Sequence, residues 1–301
     1  MKIEKGDVAV VTGAASGIGF ALAEHFAKAG CNVVAADVDQ RALDEATTSL
    51  GHHGTDVIGV RTDVSKGGEV QHLAQETLDR FGAVHIVCNN AGVTARTDPW
   101  IGPITAWEWV FGVNMWGVVH GVRAFLPHLV LGGRGHIVNT ASLAGIFPGF
   151  DPIYDATKHA VVALSEDLYQ NLRTTGMPVG VSVLCPGWVR TNIVDADRNW
   201  PTDLGPVPEP RAGGEVVLTH LRRAIDEGMT PAAVADLVAT CVEEERFWVF
   251  PHADWIQIAI DRWARIAEGV NPEPIEQLPG MPPMTQLVAE TTAAMGASPE
   301  G

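Results

Sequence analysis

Short apolar runs alternate along the chain with longer segments whose apolar residues recur every three or four positions. This alternation constrains the fold of the 301-residue chain more than any other feature. Runs that are rich in β-branched residues and bounded by Gly, Asp, Asn or Pro are typical of buried parallel strands. They cover residues 7–12, 31–37, 56–63, 84–90, 135–142 and 179–187. The pattern predicts right-handed βαβ units and an α/β fold with a doubly wound parallel sheet, covered by helices on both faces.

The regular pattern ends near residue 190. A stretch rich in Pro and Gly follows, and we expect a connection and substrate loop over about 192–225. Residues 246–251 predict a last strand, which gives about seven in all. We therefore expect one domain over residues 1–255, followed by a C-terminal helix and extended tail over 256–301.

The charge and cysteine content exclude several classes of protein. A net charge of −16 opposes binding to nucleic acid and to anionic membranes, and no apolar run approaches the ~20 residues of a membrane span. The four cysteines lack the spacing of a zinc site or a disulfide framework, so no metal is expected. Without a signal-peptide pattern, the chain is predicted to be cytoplasmic.

A glycine-rich loop, TGAASGIG at residues 12–19, follows the first strand and opens the first helix. Gly13, Gly17 and Gly19, spaced GxxxGxG, allow the tight turn that brings a pyrophosphate to the positive end of a helix. Asp37 ends the second strand, where a carboxylate can bind the adenosine ribose, although a solvated turn residue is the alternative. Because positions 35–40 hold no Arg or Lys for a 2′-phosphate, NAD is preferred over NADP. Asp63 is either an adenine-binding carboxylate or a helix cap.

The segment YDATK places Tyr154 and Lys158 one helical turn apart, on the same face. A nearby ammonium favours the phenolate and lowers the tyrosine pKa from about 10, as a proton-transfer group requires. Ser142, after the fifth strand, is positioned to hold a substrate oxygen or to cap a turn. Asn114 lies in an apolar helical segment, where it either binds a ligand or is a satisfied core amide.

These motifs resemble the short-chain dehydrogenase/reductase family, in its NAD(P)-binding Rossmann form, over residues 7 to about 191. The likeness rests on TGAASGIG, NNAG (89–92), Asn114, Ser142, YDATK and PGWVRT (186–191). It implies that Tyr154 is the general acid/base, that Lys158 lowers its pKa and binds the nicotinamide ribose, that Ser142 orients the carbonyl, and that Asn114 holds a relay water. It also implies cofactor contacts by Gly13, Ser16, Gly17, Ile18, Gly19, Asp37, Asp63, Val64, Asn90, Gly92, Tyr154, Lys158, Pro186, Gly187, Val189 and Thr191.

The loops around the predicted site carry apolar and aromatic residues, for which we expect pocket positions at Leu143, Phe147, Trp188 and Ile193. Such a pocket suits a bulky hydrophobic secondary alcohol or ketone, such as a steroid, terpenoid or aryl ketone. The resemblance thus implies an alcohol dehydrogenase or ketoreductase that forms a homodimer or homotetramer. The alternatives are another carbonyl substrate, as in a 3-oxoacyl reductase, a same-fold dehydratase or epimerase, and a non-catalytic nucleotide-binding regulator.

Overall fold

The computed structural model describes residues 1–296 and contains a seven-stranded parallel sheet of order β3-β2-β1-β4-β5-β6-β7. The predicted Rossmann-type sheet is confirmed, and each of the seven predicted runs contains one strand. The strands are β1 (Val8–Thr12), β2 (Asn32–Asp37), β3 (Val57–Arg61), β4 (Ile86–Asn89), β5 (Gly135–Thr140), β6 (Val179–Leu184) and β7 (Trp248–Val249).

Helices connect successive strands and cover both faces of the sheet. They are α1 (Gly17–Lys28), α2 (Gln40–Gly51), α3 (Gly67–Phe81), α4 (Ile104–Phe111), α5 (Gly117–Leu131), α6 (Pro152–Thr175), α7 (Gly214–Asp226), α8 (Pro231–Glu243), α9 (Ile256–Ala267) and α10 (Met284–Gly296). None of the helices within residues 1–296 is long and apolar enough to cross a membrane.

Two apolar clusters fill the space on either side of the sheet. One joins α1 and α8 to the strands and contains the fully buried Phe26, and the other joins α3 and α5 and contains Phe125. Because alternate residues of β1 enter opposite clusters, the whole strand is buried, as for Val10 and Val11. This two-sided burial explains why the strands are continuous apolar runs.

The strand order reverses next to β1, which pairs with β2 on one side and with β4 on the other. In a doubly wound sheet the crevice beyond the carboxyl ends of the strands at such a switch point is where ligands bind. The glycine-rich loop follows β1, the NNAG segment begins at the end of β4, and Ser142 follows β5. The topology therefore gathers the predicted site residues at one edge of the sheet.

The C-terminal part of the chain is more helical than the expected extended tail. After β7, α9 is followed by irregular chain over residues 268–283 and then by α10, which packs on α7. Residues 193–199 and 202–204, in the expected connection, form short 3-10 helices. Residues 297–301 of the expected tail lie outside the described residues. The division into residues 1–255 and 256–301 stays a prediction.

Candidate active site

A cavity of about 1370 Å³ extends from the glycine-rich loop, past the ends of β4 and β5, to the C-terminal segment. It brings most of the predicted site residues together. Those in its lining are Gly13, Ser16, Gly17, Ile18, Asp37, Asp63, Val64, Asn90, Gly92, Ser142, Tyr154, Lys158, Pro186, Gly187, Trp188, Val189, Thr191 and Ile193. Four predicted residues lie outside the lining, namely Gly19, Asn114, Leu143 and Phe147.

The glycine-rich loop has the geometry of an anion cradle. Gly13 and Gly17 have φ angles of 67° and 55°, which glycine adopts without strain. The loop opens α1 at Gly17, and Ser16 lies at its N-cap without a side-chain capping bond. Backbone N–H groups in the first turn of a helix lack intrahelical acceptors, and here that turn borders the cavity. These residues fit the pyrophosphate of a dinucleotide.

Gly19 contributes to this loop from behind the cavity. Its Cα faces the carbonyl oxygen of Gly13, and a Cβ added there would collide with that oxygen and lie 2.6 Å from Nδ2 of Asn90. The same Asn90 amide donates to the Thr12 carbonyl at 3.1 Å, while its oxygen accepts from the Thr140 hydroxyl at 3.2 Å. Asn90 therefore ties the loop to the ends of β1 and β5.

Two carboxylates border the predicted adenosine end of the cavity. Asp37 accepts hydrogen bonds from the backbone of Ala15 at 3.1 Å and of Asp39 at 3.1 Å, which fixes its position below the glycine-rich loop. Asp63 accepts from the backbone and hydroxyl of Ser65, so it caps a turn while it lines the cavity. Arg61 is paired with Asp37 in the sheet register, and its guanidinium forms an ion pair with Glu69 at 3.4 Å.

Tyr154 and Ser142 meet where the cavity passes the end of β5. Asp151 caps α6 by accepting from the backbone of Ile153 and Tyr154, both at 3.0 Å, which fixes Tyr154 in the first turn. Burial raises the pKa of Tyr154 to about 12, and a hydrogen bond with the Ser142 side chain acts in the opposite direction. The direction is the reverse of the sequence expectation, because loss of phenolate solvation is the larger effect.

Lys158 is buried one turn further along α6, with its ammonium 5.4 Å from the centre of the Tyr154 ring. It donates to the Thr140 carbonyl at 2.9 Å, a hydrogen bond that holds it at the end of β5. Burial lowers the pKa of Lys158 to about 8. The charged forms of both Tyr154 and Lys158 thus lose solvation in the same pocket.

Asn114 lies behind the cavity, in a π-helical turn over Gly112–Trp116 between α4 and α5. Its side chain is fully buried, accepts from the Val93 N–H at 2.8 Å, and donates to the Val93 carbonyl at 3.0 Å and the Thr157 hydroxyl at 3.2 Å. These bonds match the core-amide alternative for Asn114. Asn114 Oδ1 and Lys158 Nζ both border the space beside Gly92, since a Cβ there would be 3.6 Å from each of them.

The predicted substrate residues divide into two groups. Trp188 and Ile193 line the cavity, whereas Leu143 and Phe147 do not. Both of the latter are fully buried in an apolar cluster with Trp255, on the inner side of the turn after β5. Their apolar character serves packing, so they do not have the expected pocket positions.

Part of the cavity wall comes from the C-terminal segment, whose residues were not among the predicted pocket positions. Leu278, Met281 and Leu287 belong to the chain between α9 and α10 and to α10 itself; they line the cavity, and Trp188 packs against them. The Trp188 indole donates to the Pro279 carbonyl at 2.7 Å, which docks this segment on the site. In the sequence, the only sign of this role is that apolar residues lie between the prolines of this segment. Apolar residues are common throughout protein cores, so they did not predict a place in the cavity wall.

Among residues 1–296, no group of three or more His, Cys, Asp or Glu side chains is arranged to hold a metal ion. The four cysteines are buried and free. Burial raises the pKa of the Cys185 thiol, so that beside Lys158 it remains a neutral apolar neighbour.

A doubly wound sheet with a glycine-rich loop at its switch point defines the class of dinucleotide-binding proteins. A model of the short chain dehydrogenase family matches residues 7–202. The chain is 40% identical over 250 residues to 1-deoxy-11-beta-hydroxypentalenate dehydrogenase of Streptomyces avermitilis, covering 82% of this chain and 84% of that one. It is 33% identical over 248 residues to 2-(R)-hydroxypropyl-CoM dehydrogenase of Xanthobacter autotrophicus, covering 80% and 93%.

Among solved structures, a short chain dehydrogenase/reductase from Burkholderia phymatum in complex with NAD superposes with a TM-score of 0.89 and 43% identity. The match covers 92% of this chain and all of that one. The chain therefore belongs to the short-chain dehydrogenase/reductase family. It is an NAD(P)-dependent oxidoreductase that acts on CH–OH groups.

Proposed function

We propose that the protein is an NAD-dependent dehydrogenase that interconverts a bulky hydrophobic secondary alcohol and its ketone. The observation that carries the proposal is the convergence of Ser142, Tyr154 and Lys158 on one cavity that also contains the glycine-rich loop. When bound, the nicotinamide cofactor supplies the acceptor for the hydride that leaves the carbinol carbon.

In reduction the Tyr154 phenol gives its proton to the substrate oxygen, and in oxidation the phenolate form of Tyr154 takes the proton of the reacting hydroxyl. Because burial keeps Tyr154 protonated at neutral pH, it begins ketone reduction in the form that can donate. Ser142, whose hydroxyl donates to the Pro186 carbonyl at 3.3 Å, can turn to orient the substrate oxygen. Lys158 stabilises the phenolate by its charge and has N–H donors beyond the one bonded to Thr140 for the nicotinamide ribose.

The preference for NAD over NADP rests on Asp37. Its carboxylate accepts the ribose hydroxyls and repels a 2′-phosphate. Arg61 lies next to it in the register, but Glu69 neutralises that guanidinium at 3.4 Å. We expect Asp37→Asn to raise the ratio of NADP to NAD turnover by about tenfold, because it removes the repulsion and keeps the amide oxygen as an acceptor.

The substrate preference rests on the cavity beyond Tyr154. Trp188, Ile193, Met281 and Leu287 give it an apolar wall, which suits a steroid, terpenoid or aryl alcohol better than a small polar one. Two relatives act on hydroxyl-bearing substrates, hydroxypentalenate and hydroxypropyl-CoM, according to their names. A homodimer or homotetramer, a cytoplasmic location and the absence of nucleic-acid and membrane partners stay predictions.

The test is cofactor reduction, followed at 340 nm as a standard NADH signal, over secondary alcohols that run from short aliphatic to aryl and steroidal. We expect NAD-linked turnover of the bulky alcohols and a loss of at least about 100-fold in kcat for Tyr154→Phe. The matched control is Tyr169→Phe, which changes the other tyrosine of the chain, on the same helix. NADH binding without turnover of any alcohol or ketone would instead favour a nucleotide-binding regulator, and turnover confined to acyl thioesters would favour a 3-oxoacyl reductase.

A further inference from the structure

The turn over residues 186–188 connects the cofactor part of the cavity with its substrate part. It follows β6 and Cys185, and Pro186, Gly187 and Trp188 all line the cavity. Pro186 borders Ser142, while the Trp188 ring forms one wall of the substrate part. A small displacement of this turn would therefore disturb two binding sites at once.

Four separate parts of the chain hold this turn by hydrogen bonds. The Pro186 carbonyl accepts from the Leu143 N–H at 3.0 Å, the Trp188 carbonyl accepts from the Met229 N–H at 3.0 Å, and the Trp188 indole donates to Pro279. The remaining bond runs from the Gly187 N–H to Nδ1 of His252 at 3.1 Å. Of these bonds, it is the one that depends on a titratable side chain.

His252 is held in place by close packing. A Cβ on Gly187 would lie 3.1 Å from its ring and 3.3 Å from the Trp255 ring, so glycine is needed for the imidazole to lie against the backbone. Trp255 is buried and packs edge-on against both His252, with ring centres 5.5 Å apart, and Trp188, at 5.6 Å. The imidazole thus lies in a fixed position between the end of the sheet and the turn.

The direction of the hydrogen bond fixes the protonation state of His252. Because the Gly187 amide donates, Nδ1 must carry a lone pair and the proton must lie on Nε2. Burial lowers the pKa of His252 and so favours this neutral form, while Asp254 in the same turn and a backbone hydrogen bond with Trp188 act in the opposite direction. The residues that surround the ring on this side, Gly187, Trp188 and Trp255, are uncharged.

We propose that His252 is a positioning residue, whose neutral imidazole fixes the 186–188 turn and thereby both the nicotinamide end of the cofactor cavity and the Trp188 wall. The expected effect of His252 on turnover rests on the proposed function. Its effect on the position of the 186–188 turn does not. His252 holds Gly187 by accepting a hydrogen bond from its amide, a role for Gly187 in addition to the cofactor contact that the family resemblance implies.

The test compares two substitutions of nearly equal size and shape, His252→Asn and His252→Leu. The Asn oxygen can take the place of Nδ1 as the acceptor, whereas Leu fills the space without one. We expect kcat/KM for a bulky alcohol to fall by about tenfold or more in the Leu variant and to stay within about threefold of wild type in the Asn variant. If His252 served only to pack against Trp255, the apolar Leu would be the better replacement, and an Leu variant equal or superior to Asn would overturn the proposal. His72→Leu, at an exposed position on α3, is the control.

A second readout needs neither turnover nor cofactor. Amide hydrogen exchange at Gly187 is expected to be about tenfold faster in the Leu variant than in the Asn variant, in the cofactor-free protein. In the wild-type protein, protection of Gly187 relative to its intrinsic exchange rate is expected to fall once the pH is low enough to protonate His252, because a protonated imidazole cannot accept. Protection that is the same in the Leu and Asn variants would overturn the proposal even if the Leu variant were unstable. Failure of the proposed function has a different signature, since wild type would then bind NADH without oxidising any alcohol.

Discussion

His136 is the residue for which the structure makes the sharpest prediction about stability. It lies on β5, is fully buried, and its Nε2 is 2.8 Å from the Ser182 hydroxyl. That hydroxyl donates to the Arg246 carbonyl at 2.6 Å, so Nε2 must be the protonated nitrogen. Nδ1 is buried and has no hydrogen-bond partner among residues 1–296. A second proton would have to reside there, in an apolar interior.

The magnitude follows from the pKa. Burial lowers the pKa of His136 from 6.5 to about 3, so the unfolded chain binds a proton below pH 6.5 that the folded protein refuses until about pH 3. The free energy of unfolding therefore falls as pH is lowered through 6.5. Between about pH 8 and about pH 5 this single group removes about 2 kcal/mol of stability.

His136→Gln tests this reasoning, because the Gln amide can donate to Ser182 but does not titrate. We expect the variant to be less stable at about pH 8, yet to lose about 2 kcal/mol less than wild type on going to about pH 5. The measurement is urea unfolding at both pH values. Burial also lowers the pKa of His85 and His252, but both remain in the variant, so their contribution cancels in the difference. Parallel pH dependences in the two proteins would refute the argument.

Two further substitutions test the framework of the site. We expect Gly19→Ala to weaken NADH binding by at least about tenfold in a fluorescence titration, because the new methyl group meets the Gly13 carbonyl and displaces the glycine-rich loop; an unchanged dissociation constant would contradict this. We expect Asp155→Ala to lower the free energy of unfolding by about 3 kcal/mol, because the backbone N–H groups of residues 149–151 lose their acceptor. Asp155→Asn keeps one acceptor oxygen and should lose less, so equal losses measured by urea unfolding would argue against the hydrogen bonds as the cause.

The sheet could be predicted from the sequence because its signals are local. Burial on both faces makes each strand a continuous apolar run, and Gly or Asp at the ends marks where it stops. The last strand, β7, contains only Trp248 and Val249, within the predicted run 246–251. The glycine-rich loop and the Tyr154–Lys158 pair could also be recognised from the sequence, because the residues that form each of them lie close together in the chain.

Electrostatic and packing effects at the site were not visible in the same way. The spacing of Tyr154 and Lys158 predicts their proximity, but the pKa of Tyr154 depends on how much solvent the rest of the cavity excludes. Leu143 and Phe147 lie close in sequence to Ser142 and were expected to face substrate for that reason. The chain turns them toward Trp255, more than 100 residues away in sequence, where they are fully buried.

The region beyond the family match supplies part of the cavity wall, including Met281 and Leu287. The match ends at residue 202, whereas the groups that hold the 186–188 turn from outside lie later, at His252 and Pro279. These contacts span 65 and 91 residues, so no local pattern could predict them. The reacting groups and the glycine-rich loop lie in the matched part, whereas the later part helps to hold the 186–188 turn, which borders both the cofactor and the substrate parts of the cavity. A change at His252 or Pro279 can therefore alter the Trp188 wall while every motif of the matched part stays intact.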